Sequence, residues 1–400
     1  MLAAASLARA GATMVGLTMG FVAYEQSQSA LIVAIVVSAF GLAFALASLV
    51  TGHVLQRVGL RAMLVGALVS QIAGALALAS VTSTAGADAT WLTIFGFTNG
   101  LASAFLFVGS QMLLHGLAPS EHLQRVVSLD AAGASLSRIL GPAVGGVLLA
   151  VIGIPPVFLI VAVCYVPLIV VTAVLARRVN DPAPTPVPEH RPRLREAARL
   201  YRQLPLLRWT ILTAALAETL ALPLVNMMPA VTESLNRDAA DRLGILVACI
   251  AVGSVGQVLL IQRLDARHDT RVVVGIAYAA AGALLLGIAI DEELFVAGFL
   301  LVAFGLTVSI GRTLLLTSVH VASPDSHRAH VLSLYIFVTA AATPIGALIW
   351  GAVANLVGID PVVGGAGVIL TLGIAAGLVS IVRKGHVVEP DRDAHPVPTG

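Results

Sequence analysis

The chain has 400 residues, 58% of them hydrophobic and 11% charged, with a net charge of +2 and a mean hydropathy of +0.96. Soluble domains run at about 45–50% apolar and about 25% charged, so a water-soluble fold is excluded and a bilayer is the only solvent that fits. The near-neutral charge gives nucleic acid no basic footprint. The single lysine, Lys384, stands in no Gly-Lys-Ser/Thr phosphate loop, so no ATP site is expected.

A crossing helix needs about 20 mostly apolar residues. Such runs fall at 4–24, 30–51, 61–81, 91–115, 126–152 and 156–177, and after a polar break at 206–230, 242–262, 271–290, 294–319, 329–354 and 361–382. These are spans 1 to 12. Arg9 lies near the start of span 1, but no basic region precedes the apolar stretch, which argues against a cleaved signal peptide. Cys164 and Cys249 sit inside apolar runs and read as small core hydrophobes.

The segment after span 2 reads GHVLQRVGLR, a short polar loop carrying Gly52, Gln56, Arg57, Gly59 and Arg61. Span 5 contains SRILGPAVGG, in which Gly141, Gly145 and Gly146 allow close helix approach and Pro142 bends the backbone. Between spans 6 and 7 runs a Pro-rich stretch, Asn180 to Arg193, followed by LREAARLYRQL. Its apolar face of Leu194, Ala197, Ala198, Tyr201 and Leu204 suits a helix lying flat on an anionic membrane surface. The expected units are therefore a bundle over 1–179, a linker over 180–205, a second bundle over 206–384 and a disordered tail over 385–400.

The second bundle repeats the first. A shift of 205 residues places Gly100 on Gly305, His115 on His320, Pro119 on Pro324, Gly141 on Gly346, Gly146 on Gly351 and Gly153-Ile154 on Gly358-Ile359. Of the basic residues outside the spans or at their ends, 18 fall in alternate loops and the tail, and only Arg237 and Arg242 on the other side. The positive-inside rule puts both termini in the cytoplasm, and the plasma membrane is the expected location.

Six spans repeated in parallel is the architecture of the major facilitator superfamily, and the sequence resembles that family in its details. Gly52, Arg57, Gly59 and Arg61 match the family's G-x-x-x-D-R-x-G-x-R loop signature, with Gln56 where the family usually has Asp. The resemblance implies a cytoplasmic latch at that loop, and the missing carboxylate puts a charge-based latch in doubt. Arg138 with Gly141, Pro142, Gly145 and Gly146 resembles the helix-five signature of drug–proton antiporters and of siderophore and macrolide exporters. The implied fold is an all-α membrane protein of 12 transmembrane helices in two pseudo-symmetric six-helix bundles. The implied activity is proton-coupled efflux of a small amphipathic compound by alternating access.

A charge near the bilayer centre costs about 2.5–3.5 kcal/mol on insertion scales, so such residues face a cavity or a partner. Glu218 in span 7 is the first candidate for carrying a proton, either exchangeable or neutralised by an arginine such as Arg138. Asp130 is the second candidate, close enough to the span end to be interfacial. Arg138, Arg312, Asn99, Asn226 and Gln257 are candidates for the cavity wall, where few charges favour a neutral or weakly charged substrate. Glu25 and Asp88 read as solvated rim residues, and the histidines near loop ends as interface residues. No nucleophile–base set and no metal-ligand spacing emerges, so neither an enzyme nor a metal or cofactor site is expected. The expected partners are a small-molecule substrate, a proton and membrane lipids, with no nucleic acid and a monomeric protein. Nutrient uptake and a non-transporting receptor with this fold are the alternatives.

Overall fold

The computed structural model describes residues 1–84, 88–117, 123–175, 199, 201–235, 239–261, 269–290, 293–323 and 328–383. The elements are α1 (Leu2–Ser27), α2 (Ala30–Thr84), α3 (Ala89–Leu117), α4 (Leu123–Ile152), α5 (Ile154–Leu175), α6 (Pro205–Leu220), α7 (Pro223–Asn226), α8 (Met228–Leu235), α9 (Ala239–Ile261), α10 (Thr270–Ile290), α11 (Leu294–Ala322), α12 (Arg328–Val357) and α13 (Ile359–Arg383). Ten segments are long and apolar enough to cross a membrane, and shorter apolar stretches at Leu140–Ile152 and Arg242–Gln257 lie in α4 and α9. Together they occupy the twelve expected span positions. Large apolar side chains such as Phe295, Phe299 and Leu356 stand outward, where water would be a poor solvent for them and lipid a good one.

Three spans differ from the sequence reading. Spans 2 and 3 form a single α2 whose one non-helical residue is Gly59, at φ 78° and ψ 160°. The expected loop is therefore helical on both sides of a one-residue hinge, at dihedrals that only glycine adopts without strain. Span 7 is broken. Ala221 and Leu222 form a turn, and α7 and α8 restart the helix after Pro223. Proline lacks the N–H that would continue α6.

Both bundles carry the repeat in their geometry. Gly153 and Gly358, 205 residues apart, take φ of 79° and 87° at the ends of α4 and α12. Their N–H groups donate to Leu149 and Ala354, which are also 205 apart. The two halves meet where α2 packs on α12 and α4 packs on α9. A Cβ on Gly146 would lie 2.6 Å from the Gly244 Cα, so α4 and α9 touch backbone to backbone. Gly351, the repeat mate of Gly146, meets α2 in the same manner, 2.8 Å from the Ala30 carbonyl oxygen. Beside it Ser29 Oγ lies 3.2 Å from Asn355 Oδ1. All of these contacts lie toward the face opposite the chain termini. Nearer mid-depth, Gly41 packs on the Pro344 ring, and Ser38 Oγ donates to the Pro344 carbonyl at 2.9 Å.

Most of the expected linker helix lies outside the described residues. Its last turn is described: Tyr201 is buried and donates its hydroxyl to the Val331 carbonyl at 3.0 Å, tying the approach of α6 to the start of α12. Burial pushes this phenol well above its ordinary value.

Closure at the far face depends on the backbone contact at Gly146. In a background with Cys164 and Cys249 replaced by Ser, cysteines at Ser29 and Asn355 should cross-link readily. Adding Gly146→Leu should slow that cross-link severalfold. An unchanged rate would show that α4 and α9 do not control closure.

Candidate functional site

Among the described residues, two clusters of charge stand within the spans, one in each half. In the C-terminal half, Glu218 lies in the last turn of α6, just before the break, and its side chain is 4% exposed. Its Oε1 lies 2.9 Å from Arg312 Nε on α11. Its Oε2 accepts a 2.6 Å hydrogen bond from Thr343 Oγ1 on α12. Arg312 is 43% exposed, so the guanidinium opens to space that the carboxylate does not reach. Buried Tyr278 and Tyr335, from α10 and α12, stand close enough to sense both charges. One turn of chain connects this site to the other half, because Thr343 precedes Pro344, the residue that receives Ser38 and packs on Gly41.

In the N-terminal half, Arg9 on α1 grips Asp130 on α4 with both η nitrogens, at 2.7 and 2.9 Å. Gln111 on α3 adds a 3.0 Å hydrogen bond to Asp130 Oδ2. Asp130 is almost completely buried and Arg9 only 19% exposed. A bidentate charge-assisted pair of this kind is among the stronger polar contacts. Nearby, Thr13 Oγ1 and Ser137 Oγ donate to carbonyls across the same helix pair, those of Ser137 and Ser6. The helices that carry the two clusters are related by the repeat, although the 205-residue shift places Asp130 on Tyr335 and Arg138 on Thr343. Gly141 packs on the Ala10 backbone, and its mate Gly346 packs on the Thr219 backbone. The preceding residues, Arg9 and Glu218, therefore occupy matching places with opposite charge.

The other candidates are distributed around these clusters. Glu218 pairs with Arg312; the Arg138 side chain, like that of Gln56, lies outside the described residues. Asp130 is buried, with both its oxygens engaged. Gln257 on α9 accepts from Thr313 Oγ1 at 3.0 Å, one residue from Arg312. Asn226 ends the short α7, and its carbonyl faces Gly20 on α1 of the other half. Asn99 lines a small, mostly apolar pocket within the N-terminal half with Val15, Gln71, Leu78 and Phe95. Its Oδ1 is buried with no hydrogen-bond partner among the described residues, while Gln71 Nε2 bonds Ser103 Oγ at 2.8 Å. Of the helix-five glycines, Gly141 and Gly145 pack on α1 and Gly146 on α9. Arg9 and Thr343 were missed by sequence reasoning. Arg9 had a signal, an arginine within an apolar run that needs a carboxylate partner; Thr343 had none.

Residues 1–347 match the profile of the Major Facilitator Superfamily. The chain belongs to that superfamily. Its fold is similar to solved structures of other members at low sequence identity. A variant of the nucleoside transporter NupG superposes with a TM-score of 0.74 at 14% identity, over 94% of this chain and 98% of that one. A bacterial homolog of the human lysosomal transporter Spinster, inward-facing and unoccupied, gives 0.71 at 14% identity over 95% and 96%. A POT family transporter in complex with a thioalcohol-conjugated peptide gives 0.70 at 12% identity over 94% and 95%. No curated protein matches the sequence. Within this facilitator fold the broken seventh span and its carboxylate stand where discontinuous helices place binding groups in membrane carriers.

The Arg9–Asp130 pair has the geometry of a strut. Arg9→Gln leaves a buried carboxylate without its cation and should cost about 3–5 kcal/mol. The double variant with Asp130→Asn should recover most of that loss in thermal unfolding of the purified protein. Additive losses would mean that the two residues do not act as a pair.

Proposed function

We propose that this protein is a secondary active transporter that works by alternating access and is coupled to a proton carried on Glu218. The observation that carries this reading is the double bonding of one buried carboxylate. It holds Arg312 on one side and, through Thr343, the Pro344 turn that packs on the opposite half. Protonation removes the charge that attracts Arg312 and weakens the bond to Thr343. The Pro344 contact with α2 is then free to rearrange, and a local titration becomes a motion between halves. The basic residues argue for termini in the cytoplasm of a plasma-membrane protein. On that orientation the closed face is the outer one, and the conformation is inward-open. The two units rock about the α2–α12 and α4–α9 contacts, and one copy of the chain contains every part of the site.

The substrate class is a small amphipathic compound, and the helix-five resemblance favours efflux of a drug, metabolite or siderophore. Uptake is the second reading, favoured by a specific observation. Gly141, Gly145 and Gly146 each have a packing partner, so these glycines meet a structural need that an importer shares. The third reading, a receptor that moves nothing, draws on Gln56 at the expected place of an Asp.

Cells expressing the protein and loaded with a panel of lipophilic dyes and antibiotics test the direction. Lower accumulation that a protonophore abolishes is the expected result; no change across the panel shifts the reading to uptake or to the receptor. In proteoliposomes, Glu218→Gln should abolish proton-driven transport and preserve exchange of substrate for substrate. Unchanged proton coupling in that variant would remove Glu218 from its assigned role.

A further inference from the structure

We propose that the substrate is an organic monoanion, a carboxylate on an apolar body, which Arg312 binds while Glu218 is protonated, so that anion and proton occupy the cavity together. This rests on the proton-linked reading above and adds what the proton accompanies. The first support is the unequal use of the two partners. Both oxygens of Glu218 are engaged, one by Arg312 and one by Thr343. Arg312 meets Glu218 through Nε, and among the described residues no hydrogen bond reaches its η nitrogens. Those donors belong to a side chain ten times more exposed than the carboxylate it touches. A guanidinium this deep in a bilayer does not face lipid, so its open side faces the central cavity. A planar fork of donors matches a carboxylate in shape and charge. On the same stretch of α11, Thr313, Leu316 and Thr317 are exposed, a surface of methyl groups and hydroxyls suited to an amphipathic body.

Charge balance supplies the second support. Among the described residues, the groups facing the pair are Thr343 and Tyr335 from α12 and Tyr278 from α10. Threonine and the phenols are uncharged at neutral pH, and arginine does not lose its proton in proteins. Glu218 is therefore the one member whose charge changes. With Glu218 ionised the empty site is neutral, and a bound anion makes it negative in a low-dielectric setting. With Glu218 protonated, Arg312 and the anion balance each other. A cation fits neither state, because it would stand beside a permanent positive charge. Binding an anion thus takes up a proton, and both cross together, which under an inward proton gradient is the uptake direction of the second reading above.

The test uses the purified full chain and three probes of one shape: benzoate, benzamide and benzylammonium. Benzoate binding in weakly buffered solution should take up about one proton per molecule bound, and its affinity should fall by up to about tenfold per pH unit as Glu218 ionises. Glu218→Gln should bind benzoate with no proton uptake and no pH dependence. Arg312→Gln should weaken benzoate at least about tenfold while leaving benzamide unchanged, and Arg312→Lys should fall between. Equal binding of benzoate and benzamide, or no binding of benzoate, overturns the proposal. Benzylammonium bound with release of a proton from Glu218 also overturns it and leaves the proton-linked reading standing. Proton uptake that persists in Glu218→Gln overturns both.

Discussion

A carboxylate buried at mid-depth in a bilayer has to be bonded at every oxygen or lose its charge, and the C-terminal half is arranged around that requirement. Glu218 meets it with one cation and one hydroxyl from two different helices. The consequences spread over a few residues. The chain breaks at Ala221–Leu222, directly after the charged turn, and Pro223 beyond the break packs on Gly346. Gly346 lies two residues past Pro344, whose carbonyl is held by Ser38 of the other half. Bonding of one side chain, the break in span 7 and the seam between halves therefore share a single turn of α12. A change in that bonding alters packing at the seam without any long relay, as a bistable interface requires.

The span count, the pairing of halves and the repeat were legible in the sequence because each rests on a strong, local signal. Apolar length marks a span, and the mates Gly153 and Gly358 or Gly146 and Gly351 end at matching turns and contacts. Glu218 was legible for the same reason, as a charge in an apolar run. Its partner was not. Depth within a span constrains a residue along the helix axis and says nothing of rotation about it, so the sequence reading names Arg138 as the example partner and not Arg312. The single-residue turn at Gly59 was hidden because its flanks are polar enough to read as a loop. The pairing of Arg9 with Asp130 was hidden because each was judged alone at the end of its own span. Bringing them together takes the packing of α1 on α4, which no periodicity in either helix reports.

The halves differ in which member of each ion pair can yield. Arg9 and Glu218 occupy equivalent places, yet the N-terminal carboxylate is Asp130, held by both η nitrogens of Arg9 and by Gln111, and shielded from solvent. Protonating it would forfeit two charge-assisted hydrogen bonds at once. Glu218 meets Arg312 through Nε, and that arginine is partly exposed. Water or a ligand can solvate the guanidinium as the carboxylate lets go, so separation leaves no stranded charge on the arginine side. The repeat sets α1 and α6, which carry Arg9 and Glu218, against the matching packing surfaces of Gly141 and Gly346. The saturated pair suits a fixed joint within one bundle. The half-open pair, adjacent to the seam, is the one whose rearrangement the two halves can feel.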